Sequence, residues 1–524
     1  VDARSGGRAG APDFLWILLA LAGGLGLFLL REQQIADASG AISFPLDDSW
    51  IHLHFARNLA EGRGFSYNPG VPVAGSTAPL WTLLLGGVFA LLGSHPVWAK
   101  VLGALAALGA AAAARGLAAE WTRSRGWALA GGLATALAGP LVWGALSAME
   151  VSLAALLVTA ALLAHASGRH WLTALLSGLA ALARPEAVLL VPLIWLAGPL
   201  TLRRAASLLG VPAALLVPWV AFNLATVGSP LPATAAAKIE GGLVGVLSGA
   251  REPAALTLLW RPWAFLQEWA VWLAGVNPLL PLLIPVGLWA LGRASGRRAL
   301  APAAVLLVHP IGMALLAPYR GPGFQEGRYS IHLLPLAIVV AVLALFSLTR
   351  TLSLRGRGQG AGLRRAAAPA MAALLLAGSL WSLWPAAGRY AWAVQNINAM
   401  QVHLGRWVAA HTPPQARLAL NDVGAIAWVS RREVVDVMGL VTPAIIPYRR
   451  DGELGVLRYL ERACPDYLII FPAWFPALAG MRDRFIPVYR VRLEHNTVAG
   501  ADEMVVYETP WNRWRPGGQP CAGR

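Results

Sequence analysis

Long apolar stretches alternate along the chain with short polar ones. Runs near residues 14–30, 96–118, 126–146, 150–166, 170–184, 186–200, 205–224, 277–292, 299–317, 331–348 and 367–385 carry few charges. A helix needs roughly 20 apolar residues to cross the hydrocarbon core of a bilayer, so this pattern predicts about 11 spans. The run at 80–93 is apolar but short, and predicts a partly embedded or re-entrant helix. From about residue 386 the pattern changes. Short strand-like runs at Leu418–Leu420, Val434–Val437, Tyr467–Ile470, Val488–Leu493 and Met504–Tyr507 interleave with helical stretches at 397–410 and 453–463. The expected fold class is therefore a polytopic α-helical membrane domain over 1–385, followed by an α/β domain over 386–524. Three polar segments, 31–79, 225–276 and 318–329, connect spans on one side. The middle one holds Trp260, Trp263, Trp269 and Trp272, as expected of a helix lying in the membrane interface. No internal repeat is visible, nor a pair of matching broken helices of the kind transporters carry.

Composition supports the membrane reading. The chain is 57% hydrophobic and 13% charged, against about 25% charged residues in soluble domains, and its mean hydropathy is +0.57. A net charge of +16 would suggest nucleic acid in a soluble protein. Here the arginines sit in short loops between apolar runs: Arg123 and Arg125, Arg169, Arg203 and Arg204, Arg293, Arg297 and Arg298, then Arg350, Arg355, Arg357, Arg364 and Arg365. That is the distribution of cytoplasmic loops, and it excludes a nucleic-acid partner. With Arg4 and Arg8 inside and 11 spans, the loop at 31–79 and the α/β domain fall outside a bacterial cytoplasmic (inner) membrane. The first run lacks a small-residue cleavage site and reads as an anchor. Cys464 and Cys521 both lie in the outer region; a disulfide and two separate thiols are both open.

The candidate chemistry begins with FPLDDSWIHLHFARNLAEGRGFSYNPG, residues 44–70. A helix from Asp48 to about Ala60 sets His54, Arg57, Asn58 and Glu61 on one face and Ile51, Phe55 and Leu59 on the other. Such a helix can lie at the membrane surface with its polar face toward a cavity. Asp47 and Asp48 read equally as an N-cap and as catalytic acids. Further polar groups occur where outer loops meet spans: Glu150, the Arg184 and Glu186 of ARPEA, Lys238 (one of two lysines), Arg328 and Tyr329. Intramembrane ionisable groups usually face a cavity, although Arg184 and Glu186 read equally as a structural ion pair, and each remaining cation alone as a snorkelling side chain. Together, carboxylates and cations suit glycosyl transfer from a lipid-linked sugar phosphate: a base takes the proton of an acceptor hydroxyl, and cations stabilise the departing phosphate. One direct displacement inverts the anomeric centre.

At these residues the chain resembles the GT-C class of integral-membrane glycosyltransferases, which carry paired acids in the first outer loop and use polyprenyl-phosphate sugars. More narrowly, LDDSWIHLHFARNLAEGRGFSYNPG, GSTAPLW (75–81), SAMEVSL (147–153), LARPEA (182–187), GSPLPATAAAK (228–238), RYSIHLLP (328–335) and NDVGAIAWVS with VVDVMGLVTP (421–443) resemble the terminal β-(1→2)-arabinofuranosyltransferases and their relatives. The resemblance implies a GT-C fold, an outer-face active site with Asp47 or Asp48 as base, and an outer α/β domain roofing it. It implies a polyprenyl-phosphate sugar donor, a cell-envelope glycan or glycolipid acceptor, and contact with membrane lipid. His54, Arg57, Asn58, Asn68, Thr77, Glu150, Arg184, Glu186, Lys238, Arg328 and Tyr329 become candidates for binding donor phosphate or substrate. The acid pair is also a candidate for holding a divalent cation, Mg or Mn, and whether one is used stays open. The chain departs from the family at Val71–Ala74, where relatives are acidic, and at His52 and His54, so the donor sugar is not carried over.

Two other classes account for part of the sequence. A transporter or flippase of lipid-linked sugars explains buried acids but not the outer α/β domain; a non-catalytic envelope assembly protein explains that domain but not the acid pair. Within the glycosyltransferase class, transfer to protein or lipid A is the alternative. The orientation itself is testable in a background lacking Cys464 and Cys521. A cysteine in the 351–365 loop is expected to resist membrane-impermeant thiol reagents, and one near residue 450 to label; the opposite pattern would overturn the arrangement.

Overall fold

The computed structural model describes residues 11–36, 42–199, 201–238, 241–247, 252–316, 318, 320–354 and 361–514. Arg4, Arg8, Arg355, Arg357 and Cys521 lie outside these residues, as do the side chains of Arg364 and Arg365. The chain divides into two units. One comprises Val1–Leu30, Lys100–Pro218 and Ile239–Gly388; the other comprises Arg31–Ala99, Trp219–Lys238 and Arg389–Arg524.

Among the described residues, six helices are long and apolar enough to cross a membrane: Pro12–Ile35, Val97–Thr122, Leu202–Val227, Arg297–Leu316, Ile331–Thr351 and Ala366–His411. Two bent pairs, Arg125–Ala136 with Gly139–Leu146 (53°) and Leu256–Val276 with Leu280–Ser295 (106°), and the shorter helices Val151–Ala166, His170–Ala183 and Pro185–Leu196 account for the other expected runs. The apolar run at 80–93 forms the 14-residue helix Pro79–Leu92.

The bend within 126–146 was not anticipated, whereas the other falls at the expected boundary between the 225–276 segment and the run from 277; each has a local cause. Asn277 is extended (φ −160°, ψ 120°) because the ring of Pro278 disfavours helical geometry in the residue before it. Its amide then donates to the carbonyl of Leu375 and to Ser379. Pro140 similarly opens the second half of the other pair, at a helix start where its missing N–H costs nothing. Conversely, the last run does not end at 385. Its helix continues to His411 through a wider turn at Asn398–Val402, since helical hydrogen bonding persists after the sequence stops being apolar.

Within the first unit, the span Ile331–Thr351 is apolar all round, and 83% of its most apolar window is buried; in Leu202–Val227 the share is 11%. The first is a central core helix and the second has surface free to meet lipid. The helix Leu280–Ser295 approaches the central helix at Gly287, where an added Cβ would lie 2.1 Å from the Val340 carbonyl oxygen. Small residues permit such contacts between membrane helices. Asp13 in the first span is buried and pairs with Arg115 at 2.6 Å and Arg125 at 2.9 Å.

The second unit is built on a five-stranded sheet of order β2-β1-β3-β5-β4, from β1 (Arg417–Leu420), β2 (Glu433–Asp436), β3 (Tyr467–Ile470), β4 (Ile486–Arg492) and β5 (Glu503–Glu508). β2, β1 and β3 are parallel, whereas β5 runs antiparallel to β3 and β4. Alternate side chains serve opposite faces. Ala419, Val435, Leu468, Ile470 and Val505 pack with Val456, Leu457 and Leu460 of the helix Gly452–Ala463. Leu418, Leu420, Val434, Ile469 and Val506 pack with Ile51, Phe55, Tyr67 and Val73 of the first polar segment. That segment therefore helps to cover one face of the sheet, together with Leu404 and Val408 of the helix that ends at His411. Cys464, at the end of the Gly452–Ala463 helix, is disulfide-bonded.

Candidate functional site

The acids open the helix Asp47–Ala60, one residue before the expected start. Neither caps its own helix: the N-cap is Leu46, and no side chain caps it. Asp47 reaches the start of another helix, Ala425–Ser430, instead. Its Oδ2 accepts the N–H of Gly424 and its Oδ1 that of Ala425, both at 2.7 Å. The approach depends on Gly424, where a Cβ would lie 2.0 Å from the Asp47 carbonyl oxygen and 2.8 Å from its carboxyl carbon. Burial pushes the Asp47 carboxyl up to about 7; the two N–H groups pull it down and the Asp48 charge raises it further.

Asp48 has a different setting. Its side chain is 31% exposed, and its Oδ2 lies 3.7 Å from Lys238 Nζ. Lys238 ends the short helix Ala233–Lys238. That segment is tied to the GSTAPLW stretch: Ala233 N–H donates to the Ala74 carbonyl at 2.8 Å, and the Thr234 hydroxyl to that of Gly75. The GSTAPLW and GSPLPATAAAK stretches thus act together to bring a cation to the acid pair. Thr77 is half-buried in the turn before Pro79–Leu92.

A third acid, Asp422, was not singled out in the sequence. It follows β1 and accepts from Gln401 at 2.8 Å and from Asn421 at 3.1 Å. Burial, then the charge of Asp47, hold its carboxyl well above the usual range, with Asp48 and Asp436 adding to the effect. One signal was available: an acid just past the carboxyl end of a parallel strand occupies the usual ligand-facing edge of an α/β sheet. Asp436 ends β2 but is structural. Its carboxylate accepts the N–H groups of Met438 at 2.7 Å and Val441 at 2.8 Å, folding the VVDVMGLVTP turn.

The polar face of Asp47–Ala60 does not line a cavity as expected; intramolecular partners fill it. His54 Nε2 meets the Tyr67 carbonyl at 3.0 Å while Nδ1 accepts from Arg57 at 3.1 Å. Burial and then the Arg57 charge push the His54 ring down to about 3, so His54 is neutral and no cation for phosphate. Arg57 donates to the Trp428 carbonyl at 3.0 Å and lies 4.2 Å from the Trp428 ring centre. Asn58 donates to the carbonyls of Ser66 and Tyr67. Asn68 donates to the Val434 carbonyl at 2.7 Å and accepts its N–H at 2.9 Å. All four hold the first polar segment to itself, to the helix Ala425–Ser430 or to the sheet.

The remaining candidates meet in the first unit. Arg184 donates to Glu150 at 2.6 Å and makes a two-pronged contact with Glu186, Nη2 at 2.8 Å and Nε at 3.2 Å. Its guanidinium carbon lies 5.0 Å from the Tyr329 ring centre. Arg328 donates to the Tyr329 hydroxyl at 3.0 Å. The sequence reading missed two neighbours, His309 and His332, whose rings meet edge to face at 5.0 Å, with His309 also reaching Ser330 at 3.3 Å. Arg184 carries two carboxylate partners where one was expected. Ala148, two residues before Glu150, has a φ of 59°, a left-handed conformation that favours glycine and often marks functional sites. Among the described residues no three His, Cys, Asp or Glu side chains converge as a metal-ligand set.

The fold is shared with solved membrane proteins. ArnT from Cupriavidus metallidurans, bound to undecaprenyl phosphate, aligns over 94% of this chain and 97% of its own, at 14% identity and a TM-score of 0.61. The archaeal oligosaccharyltransferase AglB from Archaeoglobus fulgidus, in complex with an inhibitory peptide and a dolichol-phosphate, aligns over 94% and 74% at 12% identity and a TM-score of 0.59. The same archaeal enzyme has been crystallised with Zn and sulfate (12% identity, TM-score 0.58, 93% and 73% covered). A family model described as a domain of unknown function, DUF8728, matches residues 394–511. No curated protein matches the chain. The chain is a multi-pass membrane protein with the GT-C fold and a C-terminal mixed sheet, as its sequence motifs implied.

Proposed function

We propose that the protein is an inverting glycosyltransferase that moves a sugar from a polyprenyl-phosphate donor to a cell-envelope glycan or glycolipid on the outer face of the membrane. The observation that carries this is the division of labour between the adjacent acids. Asp47 spends both oxygens on main-chain N–H groups, whereas Asp48 keeps an exposed face beside a lysine. Asp48 is then the base. It takes the proton of the acceptor hydroxyl as that oxygen attacks the anomeric carbon. The bond from that carbon to the phosphate oxygen breaks on the opposite face, and polyprenyl phosphate leaves with the electron pair. A phosphate needs no proton to depart when a cation balances it, and Lys238 is suited to that task. Asp47 positions Asp48 by holding the start of their helix to the Gly424 turn.

The fold of ArnT and AglB supports the donor class, since their solved structures contain undecaprenyl phosphate and dolichol-phosphate.

Purified protein incubated with a panel of polyprenyl-phosphate sugars is expected to release polyprenyl phosphate with one of them; release with none would favour a transporter or an assembly protein. Asp48→Asn should lower that release by orders of magnitude with little change in thermal stability, and near-normal transfer would remove Asp48 as base.

Lys238→Met should weaken donor binding by a few kcal/mol, seen as a raised donor KM with acceptor KM unchanged. Unaltered donor dependence would reduce Lys238 to an interfacial role.

Asp47 must be ionised to accept both N–H groups, so turnover is expected to rise as the pH passes about 7. The sign for stability is opposite. A carboxyl raised in the folded state contributes stability below the ordinary carboxylate range and loses it as the pH rises through about 7. Gly424→Ala displaces Asp47 and should lower turnover and move that rising limb; an unchanged profile would separate Asp47 from the reaction.

A further inference from the structure

We propose that a cleft at the arginine-rich end of the first unit binds a phosphoethanolamine headgroup. The cleft encloses about 170 Å³ and is lined by Glu120, Trp121, Arg123, His165 and Arg298, over an apolar floor that includes Leu162 and Pro302. It lies where Val97–Thr122 and Val151–Ala166 end and the helix Arg297–Ala303 begins. None of these residues takes part in the chemistry assigned to the acid pair or to the Arg184 cluster.

Three features make the cleft a built site. Arg123 directly follows its helix with a φ of 54°, a left-handed position where glycine or asparagine is usual, so a long cationic side chain is kept at a conformational cost. His165 is buried and its Nε2 contacts the Arg298 carbonyl oxygen at 2.9 Å, fixing the turn that carries Arg298. The Arg298 guanidinium reaches Gly168, where an added Cβ would lie 3.7 Å from Nη2.

The charges alternate in sign. Arg123 pairs with Glu120 at 3.4 Å, and their side chains are 74% and 33% exposed, so a ligand can compete for both. Arg123 and Arg298 both line the cleft, and a guanidinium binds phosphate oxygens in a planar fork. An ammonium fits Glu120, and an indole adds cation–π attraction. A headgroup with phosphate alone would leave Glu120 opposing it; a simple cation would leave two arginines opposing it. Phosphate with a primary ammonium two carbons away satisfies the whole set, and basic pockets between membrane helices are usual headgroup sites.

The test uses the full chain in detergent, titrated with short-chain phosphatidylethanolamine or phosphatidylglycerol of equal chain length and followed by native mass spectrometry. The wild type is expected to retain phosphatidylethanolamine in preference. Arg298→Ala, or Arg123→Gln as a second variant, should lower that retention about tenfold. Glu120→Gln should abolish the preference while retention of phosphatidylglycerol holds or rises. Displacement by free phosphoethanolamine would support the headgroup chemistry and point to a soluble source, and resistance to it would support a lipid. Equal retention of the two lipids by the wild type, or retention unchanged in all three variants, would overturn the proposal.

Discussion

The two N–H groups that Gly424 and Ala425 present to Asp47 connect parts of the chain that lie 377 and 378 residues apart. Hydrogen bonds to a charged group are worth about 1.5–3 kcal/mol each, and a carboxylate shielded from water without them would be costly. Around this tie the first polar segment and the sheet assemble as one body. Ile51, Phe55 and Tyr67 complete one face of the sheet, and the Tyr67 hydroxyl donates to the Val423 carbonyl, one residue before Gly424. Asp48 owes its setting to this assembly, because it is the next residue on the same helix turn.

The Arg184 cluster in the other unit follows a different rule. A buried guanidinium with two carboxylates leaves an excess negative charge, which is expensive in an apolar surrounding unless further groups share it. Tyr329, Arg328 and the two histidines lie close enough in sequence or space to do so. The polar groups are drawn from helix ends: Arg184 follows His170–Ala183, Glu186 sits in the first turn after Pro185, and Glu150 precedes Val151–Ala166. At helix ends the backbone already needs partners, so polar side chains enter an apolar unit there with least disruption.

Much of this was legible in the sequence, for physical reasons that differ by feature. Four of the five strands were visible as short apolar runs bounded by turns and β4 by its alternation of apolar and charged residues, and the apolar spans because lipid tolerates few charges. Helix ends were legible unevenly: the boundary at 277 was marked by a change of polarity, whereas hydropathy does not register the bend before Pro140, or that a helix continues past its apolar part to His411. The setting of His54, Arg57 and Asn58 was not legible, because amphipathic spacing identifies a polar face without revealing what covers it. Asp47 read as a cap or a catalyst; it caps, but on a turn distant in sequence. Asp422 escaped notice because no local spacing links it to Asp47, and only the register of β1 brings it near.

Asn68 has a consequence for any attempt to study the sheet alone. β2 is an edge strand, and its Val434 N–H and carbonyl are both taken by the Asn68 amide. A side-chain amide there imitates a peptide group of a neighbouring strand and occupies the edge. Free strand edges are templates for pairing with other chains. A fragment beginning near residue 386 would lose Asn68 together with Ile51, Phe55 and Tyr67, baring an edge and an apolar face at once. Self-association of such a fragment would reflect that loss and would say nothing about the oligomeric state of the whole protein.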